Sequence, residues 1–276
     1  MEPAPIYADT EQKDLNGVQA LNGQTQGNFQ MNHQGVTSHK SMISSLNGIF
    51  VKQRMNMMEV VTGCEMENIF DIFQKHPNKE KITGKRIWRA LEESTCVQRN
   101  CVQQNCRSFR VKIMNMLGGT LDNPPTVLRM ERPCTCTSLC LNRPFITMNY
   151  TENNENVYLG KISDPYNAFK IIFEIFDNQN KPIYKIETYC VQCGVVCRGC
   201  PCGPCERVSF QVVDLRTGQI LPPITKLNQI CLKDFINDSD NFSMEFPPSS
   251  SWEEKSLLLG AILFLDYMMF EDKGGV

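Results

Sequence analysis

The chain has 276 residues, 41% of them apolar, which suits one large globular domain or two small ones. Its formal net charge of −2 gives no signal for wholesale nucleic-acid binding. The opening Met1-Glu2-Pro3-Ala4-Pro5 has neither the basic nor the apolar region of a secretory signal. The expected setting is therefore the cytosol or the cytosolic face of a membrane, where fourteen cysteines serve metal binding, lipidation or burial rather than disulfides.

Residues 1–40 are rich in Gln, Asn, Gly, Ser and Thr and poor in bulky apolar side chains. Such a segment cannot bury enough surface to offset its ordering entropy, so a disordered tail is expected there, open to protein partners, ahead of a folded domain over 41–276. From Met42 the apolar density rises. Ile43, Leu46, Phe50, Met57 and Val61 stand near helical spacing, while Ile49-Phe50-Val51 reads equally as the opening of a strand.

The middle of the chain has a period of two. Phe109, Val111 and Ile113 alternate with Ser108, Arg110 and Lys112. Phe169, Ile171, Phe173 and Ile175 share one parity, as do Val208, Phe210 and Val212. These sets are expected to face inward on strands. Turn chemistry separates the runs at Gly118-Gly119, Asn123-Pro124-Pro125, Asp177-Asn178-Gln179-Asn180 and Arg216-Thr217-Gly218. Strands so spaced predict an antiparallel sheet or barrel.

The segment from Leu257 to Phe270 is different: it is apolar on every side, with Leu259 and Phe264 in its middle, broken by Gly260, Ala261 and Asp266. A helix of this kind is buried in protein or in lipid. Fourteen residues span about 21 Å, against about 30 Å of bilayer hydrocarbon. Glu253-Glu254 and Glu271-Asp272 flank it, and Asp266 would cost roughly 3 kcal/mol at a bilayer centre. Trp252 and Tyr267, as interfacial anchors, would instead suit a span. Both readings stay open at this point.

Enzyme chemistry finds little to stand on. Of three histidines, His33 and His39 fall in the expected tail, leaving His76 as a single candidate partner for a cysteine nucleophile, and no hydrolase, kinase or dinucleotide signature occurs. The densest cluster is Cys190, Cys193, Cys197, Cys200, Cys202 and Cys205, six thiols in sixteen residues among Gly and Pro. Pairs two residues apart can place both sulfurs on one Zn²⁺; the plainer reading is a reduced or lipidated cysteine-rich hairpin. Cys134, Cys136 and Cys140 form a looser group, read either as S-acylation sites or as small buried residues. Asp238, Asp240 and Glu245 bring hard oxygens into a short segment that suits Ca²⁺ or an Asx-rich turn, although the EF-hand template fails at Phe242, Ser243 and Ser249.

Taken together these segments resemble the phospholipid scramblases. Asp238-Ser239-Asp240-Asn241-Phe242 followed by Phe246-Pro247 looks like that family's DADNFG…FP loop. Gly260-Ala261 followed by Phe264-Leu265-Asp266-Tyr267-Met268-Met269-Phe270-Glu271 looks like its terminal GA..FL.DFMFFE helix. Weaker matches upstream, at Glu59–Gly63, Arg99-Asn100-Cys101, Glu131–Cys134 and Cys190–Cys193, keep the family order. The resemblance implies a mostly-β, tubby-like fold, a closed antiparallel barrel of about twelve strands around a buried hydrophobic C-terminal helix. It also implies a non-enzymatic activity: Ca²⁺-promoted, ATP-independent, bidirectional movement of phospholipids between leaflets, by a palmitoylated protein at the cytosolic face of the plasma membrane with a cytoplasmic pool. Closed around its helix, such a barrel is expected to offer no groove for a lipid headgroup. The chain departs from the family pattern at Ser243 and Ser249, at Leu139–Pro144 where the family carries a run of cysteines, and at Pro223–Asn228 where it carries a basic stretch.

Overall fold

A computed structural model describes residues 38–54, 67–76, 82, 85–94, 107–117, 124–135, 141–152, 155–192, 195, 207–227 and 241–270. A short helix α1 (His39–Ser45) leads into β1 (Gly48–Arg54), β2 (Ile69–Gln74), β3 (Arg86–Glu93), β4 (Phe109–Asn115), β5 (Thr126–Arg132) and β6 (Phe145–Glu152). Then come β7 (Glu155–Ser163), β8 (Lys170–Phe176), β9 (Pro182–Tyr189), β10 (Arg207–Asp214), β11 (Ile220–Leu227), β12 (Asn241–Glu245) and the helix α2 (Trp252–Met269). Each strand pairs antiparallel with its sequence neighbours, and β1 closes on β12 through Gly48↔Glu245 to Lys52↔Asn241, so no strand edge is left open. The expected barrel is present, with twelve strands.

The period-two runs do what their parity requires. Phe109, Val111 and Ile113 are buried, as are Val208, Phe210 and Val212, and Phe173 and Ile175. Phe169 departs from the expectation. It lies one residue before β8 and is 79% exposed, because the Asn167 side chain accepts from the backbone N–H groups of Phe169 and Lys170 and turns the chain before the strand begins. The Asp177–Lys181 and Asp214–Gln219 turns form where predicted, with Asn180 and Gly218 at positive φ. The Gly118-Gly119 turn lies outside the described residues.

Helix α2 fills the barrel. Leu257, Leu258, Leu259, Ile262, Leu263, Phe264 and Leu265 are each at most 1% exposed. The helix begins five residues earlier than the apolar run suggests: Ser251 caps it, its side chain accepting from the Glu254 backbone N–H. Phe270 is the C-cap residue, outside the helix and partly buried against the core. Close approach of helix to wall depends on two glycines. A Cβ on Gly260 would sit 2.7 Å from Met148 Sδ of β6, and one on Gly160 of β7 would sit 2.1 Å from the Phe176 carbonyl and 3.1 Å from Leu257.

Among the described residues no helix is long and apolar enough to cross a membrane. The strands do not present a lipid-facing surface either. Their outward positions carry ion pairs such as Arg89–Asp71, Lys112–Glu93, Arg110–Glu131 and Lys170–Glu187, while the interior is apolar. A membrane-spanning barrel has the reverse pattern. Trp252 and Tyr267 are also not displayed for an interface. Trp252 packs edge-on against Tyr150, and Tyr267 stacks on Phe109 inside the barrel.

His39, expected in the tail, is 2% exposed in the core, against Trp88 and Tyr150. Its Nε2 lies 3.2 Å from Ser256 Oγ, which itself donates to the Trp252 carbonyl, so the network assigns the proton to Nε2 and leaves Nδ1 bare. Burial first, and the Lys40 charge second, pull the imidazole down to about 3 from 6.5. The sign follows. Between those values the unfolded chain binds a proton that the folded one refuses, so stability is complete above pH 6.5 and is lost as pH falls toward 3. From pH 7 to 4.5 the expected loss from this residue is about 2–3 kcal/mol. Urea denaturation of the wild type and of His39→Phe at both pH values checks it; equal pH dependence of the two proteins would contradict the assignment.

Candidate functional site

The six connections β1–β2, β3–β4, β5–β6, β7–β8, β9–β10 and β11–β12 leave the barrel at one end. The C-terminus of α2 points to the same end, since Tyr267 meets Phe70 and Phe109 near the starts of β2 and β4, and Phe270 meets Phe210 and Phe242. We call it the C-terminal mouth. The opposite, N-terminal mouth holds α1, whose end is tied to α2 by Lys255. Its ammonium donates to the Ser44 and Leu46 carbonyls at 2.8 Å each, and burial lowers its pKa.

Two groups of buried ionisable side chains line the C-terminal mouth. Asp266 of α2 accepts from Lys226 of β11 at 3.5 Å, both essentially inaccessible to solvent, and the ammonium sits 3.4 Å from the Phe270 ring centre and 5.0 Å from that of Phe242. Across the mouth Glu92, fully buried on β3, accepts from Arg107, from Ser94 and from the Asn68 side chain, with Tyr267 donating at 3.3 Å. Arg132 lies over the Phe109 ring, 5.7 Å from its centre. A shared acceptor with several donors holds the end of α2 against the wall through polar contacts that are expensive to leave unmade.

Beside this network a groove of about 960 Å³ crosses the rim of β3 to β6, lined by Glu92, Glu93, Phe109, Arg110, Glu131 and Arg132 among others. The expectation that a closed barrel offers no groove is thus corrected. Closure removes strand edges, but the rim where strands end remains indented, and here it carries charges of both signs. Lys226 and Glu92 do not stand out in the sequence, because an inward-facing charge on a strand breaks the alternation that marks the core, and Arg107 lies two residues before β4 begins. The one available signal was parity: Lys226 shares that of the buried Ile224.

The sequence-predicted ligands fare unevenly. Glu245 is exposed at the far end of β12, where it pairs with Lys75 at 3.0 Å; four strand residues put it about 13 Å from Asn241 at the start of that strand. Asp238 and Asp240 lie outside the described residues. Cys134 is exposed just beyond β5 and Cys190 is half-buried just beyond β9. Cys136, Cys140, Cys193, Cys197, Cys200, Cys202 and Cys205 lie outside the described residues, and among those described no group of three or more His, Cys, Asp or Glu side chains could hold a metal ion. By position in the sequence, all fourteen cysteines fall in connections that leave the C-terminal mouth, as do Asp238 and Asp240.

Comparison with known proteins finds a family profile, Scramblase, that matches residues 27–272. The chain is 25% identical over 232 residues to human phospholipid scramblase 1, covering 84% of this chain and 65% of that protein. It is 25% identical over 229 residues to bovine phospholipid scramblase 2, covering 83% and 70%, and 24% identical over 229 residues to human phospholipid scramblase family member 5, covering 83% and 76%. The chain thus spans a little under two thirds of the length of the first of these relatives. No solved structure matches.

Proposed function

We propose, from the premise that this chain belongs to the scramblase family, that it moves phospholipids between the two leaflets of a membrane, in both directions and without nucleotide hydrolysis. The observation that carries the reading is the extent of the family match. Residues 27–272 include every strand of the barrel and the whole of α2, not a single shared motif. The mixed-charge groove at the C-terminal mouth supports it, since cations and carboxylates side by side suit the phosphate and ammonium of a zwitterionic headgroup.

In the same reading the protein works at the cytosolic face of the plasma membrane, with a cytoplasmic pool, and meets protein partners through its N-terminal tail. Ca²⁺ promotes the movement through Asp238 and Asp240. Of the three carboxylates considered for it, Glu245 fits poorly, being held by Lys75, and contributes only when that ion pair opens. Acyl chains on Cys134, Cys136 or Cys140 add membrane affinity.

Purified full-length protein reconstituted into vesicles carrying a fluorescent phosphatidylcholine is expected to expose the inner-leaflet probe to a membrane-impermeant reductant, faster with Ca²⁺ than with a chelator. If the inner-leaflet probe stays protected in both conditions, the scrambling reading fails. The second reading, a membrane-tethered module that binds without moving lipid, would then stand; the burial of α2 inside the barrel favours it.

Zinc is the second ligand considered, through Cys190, Cys193, Cys197, Cys200, Cys202 and Cys205. Four thiolates satisfy one tetrahedral ion and would be shielded from alkylation. Protein purified without chelator is expected to hold about one zinc per chain, released by joint replacement of Cys190 and Cys193 by Ser. Rapid alkylation of all six cysteines in metal-free, folded protein would remove zinc from the account.

A further inference from the structure

We propose that the C-terminal mouth is the face this protein lays on a lipid bilayer, with Phe169, Tyr189 and Val191 entering the boundary between headgroups and acyl chains. The proposal rests on the reading of the chain as a phospholipid-handling protein and adds to it an orientation and the side chains that make contact.

Phe169 is 79% exposed, Tyr189 61% and Val191 82%. They form one tip: Tyr189 is the register partner of Lys170, and the Cys190 N–H donates to the Phe169 carbonyl at 3.1 Å. The tip is held in place. Asn167 fixes the backbone of Phe169 and Lys170, and the Gln192 N–H donates to the Tyr189 carbonyl at 3.1 Å. Single exposed apolar residues are ordinary, but adjoining ones displayed on a pinned backbone mark a binding surface. Tyr166 and Leu141, also more than half exposed, lie in connections that leave the same mouth.

The chemistry of the occupant follows from what surrounds the tip. A groove of about 610 Å³ starts at Tyr189 and Val191 and runs over the outer face of β9 to β11 as far as Ile220 and Leu221 at the start of β11. The neighbouring cations each have a carboxylate: Glu187 takes both Lys170 and Lys185 at 3.1 Å, which leaves one net positive charge, and Asp164 takes Arg143. A tip with aromatic and β-branched ends above internally paired charges suits a zwitterionic lipid interface, where Tyr keeps its hydroxyl among headgroups while its ring is buried. With a single net positive charge beside the tip, high salt is expected to weaken binding only slightly. Cys134 and Cys190, the cysteines among the described residues, lie just beyond β5 and β9 at this mouth, so acylation at either would draw the same end to the membrane. The N-terminal mouth presents another surface. Arg216 bridges Asp214 and Glu254, Lys75 holds Glu245, and the exposed Leu117, Val157 and Ile220 stand on three separate hairpins.

The test uses full-length protein with single tryptophans added at Phe169→Trp or Val191→Trp, and at Leu117→Trp or Val157→Trp for the other mouth. Native Trp88 and Trp252, packed in the core, supply a constant background. With phosphatidylcholine vesicles brominated on their acyl chains, emission loss is expected at 169 and 191 and not at 117 or 157. Joint replacement Phe169→Asp and Val191→Asp is expected to weaken co-sedimentation with these vesicles by about tenfold or more. Quenching that is equal at the two mouths, or confined to 117 and 157, overturns the orientation while leaving the membrane reading in place. Absence of vesicle association in the wild type overturns both. Tight binding abolished by salt would replace the apolar tip with an electrostatic surface.

Discussion

Replacing Leu259 by Asp is expected to unfold the whole barrel. Leu259 is fully buried in the middle of α2, with apolar side chains from the barrel wall around it. A carboxylate there has neither water nor a cation designed for it, and the cost of an unpaired buried charge exceeds about 4 kcal/mol. That is a large part of the roughly 5–15 kcal/mol that a domain of this kind has in reserve. Leu259→Met, which keeps volume and hydrophobicity, is expected to cost less than about 1.5 kcal/mol and serves as the control. Circular dichroism and urea denaturation of the full chain decide the matter. A Leu259→Asp protein that keeps a cooperative transition near the wild-type midpoint, and only leaves the membrane fraction, would mean that the helix works in lipid and not in the barrel.

The second large effect concerns the ion pair at the other end of the same helix. Asp266→Ala removes the carboxylate 3.5 Å from the Lys226 ammonium, in a site where both side chains are essentially solvent-free. The cation then loses that anion while it stays buried beside Phe242 and Phe270, whose ring faces offset little of the desolvation. The expected loss is about 3–5 kcal/mol. Lys226→Met alone takes this cation from the buried carboxylate and is expected to cost a similar amount. The double replacement Lys226→Met with Asp266→Leu removes both charges and fills the space with apolar atoms, so it is expected to recover most of the loss. A double-mutant cycle by urea denaturation measures the coupling. Simple additivity of the two single losses would show that the pair does not act as a unit. The pairing also accounts for an aspartate in an otherwise apolar helix: it faces a lysine on a strand, not a bilayer interior.

Several features were legible before any tertiary information. Alternation at 109–113 and 208–212 placed strands and their inner faces, because side-chain period is set by the local backbone. The all-round apolarity of 257–265 required a surround for the helix, since a surface helix needs a polar face. The start of α2 was legible too, in the Ser251-x-x-Glu254 pattern of a capped N-terminus, but the polar first turn hid it behind the apolar run. Phe169 was misplaced because its parity continues a strand that the Asn167 turn prevents from beginning there.

What the sequence determined by itself was local: which runs alternate, where turns interrupt them, and that one helix must be enclosed. The order of the strands in space, the closure of β1 on β12 and the fate of the charges were decided only by the tertiary structure. His39 is buried because Ser256, more than two hundred residues away, supplies its hydrogen bond. Lys226 and Asp266 enter the core because each provides the other's countercharge, and neither would be tolerated there without its partner. The gathering of Cys134, Cys190 and the Phe169–Val191 tip at one mouth has the same origin. With twelve strands running alternately up and down, every second connection must emerge from the same end of the barrel, whatever residues it carries.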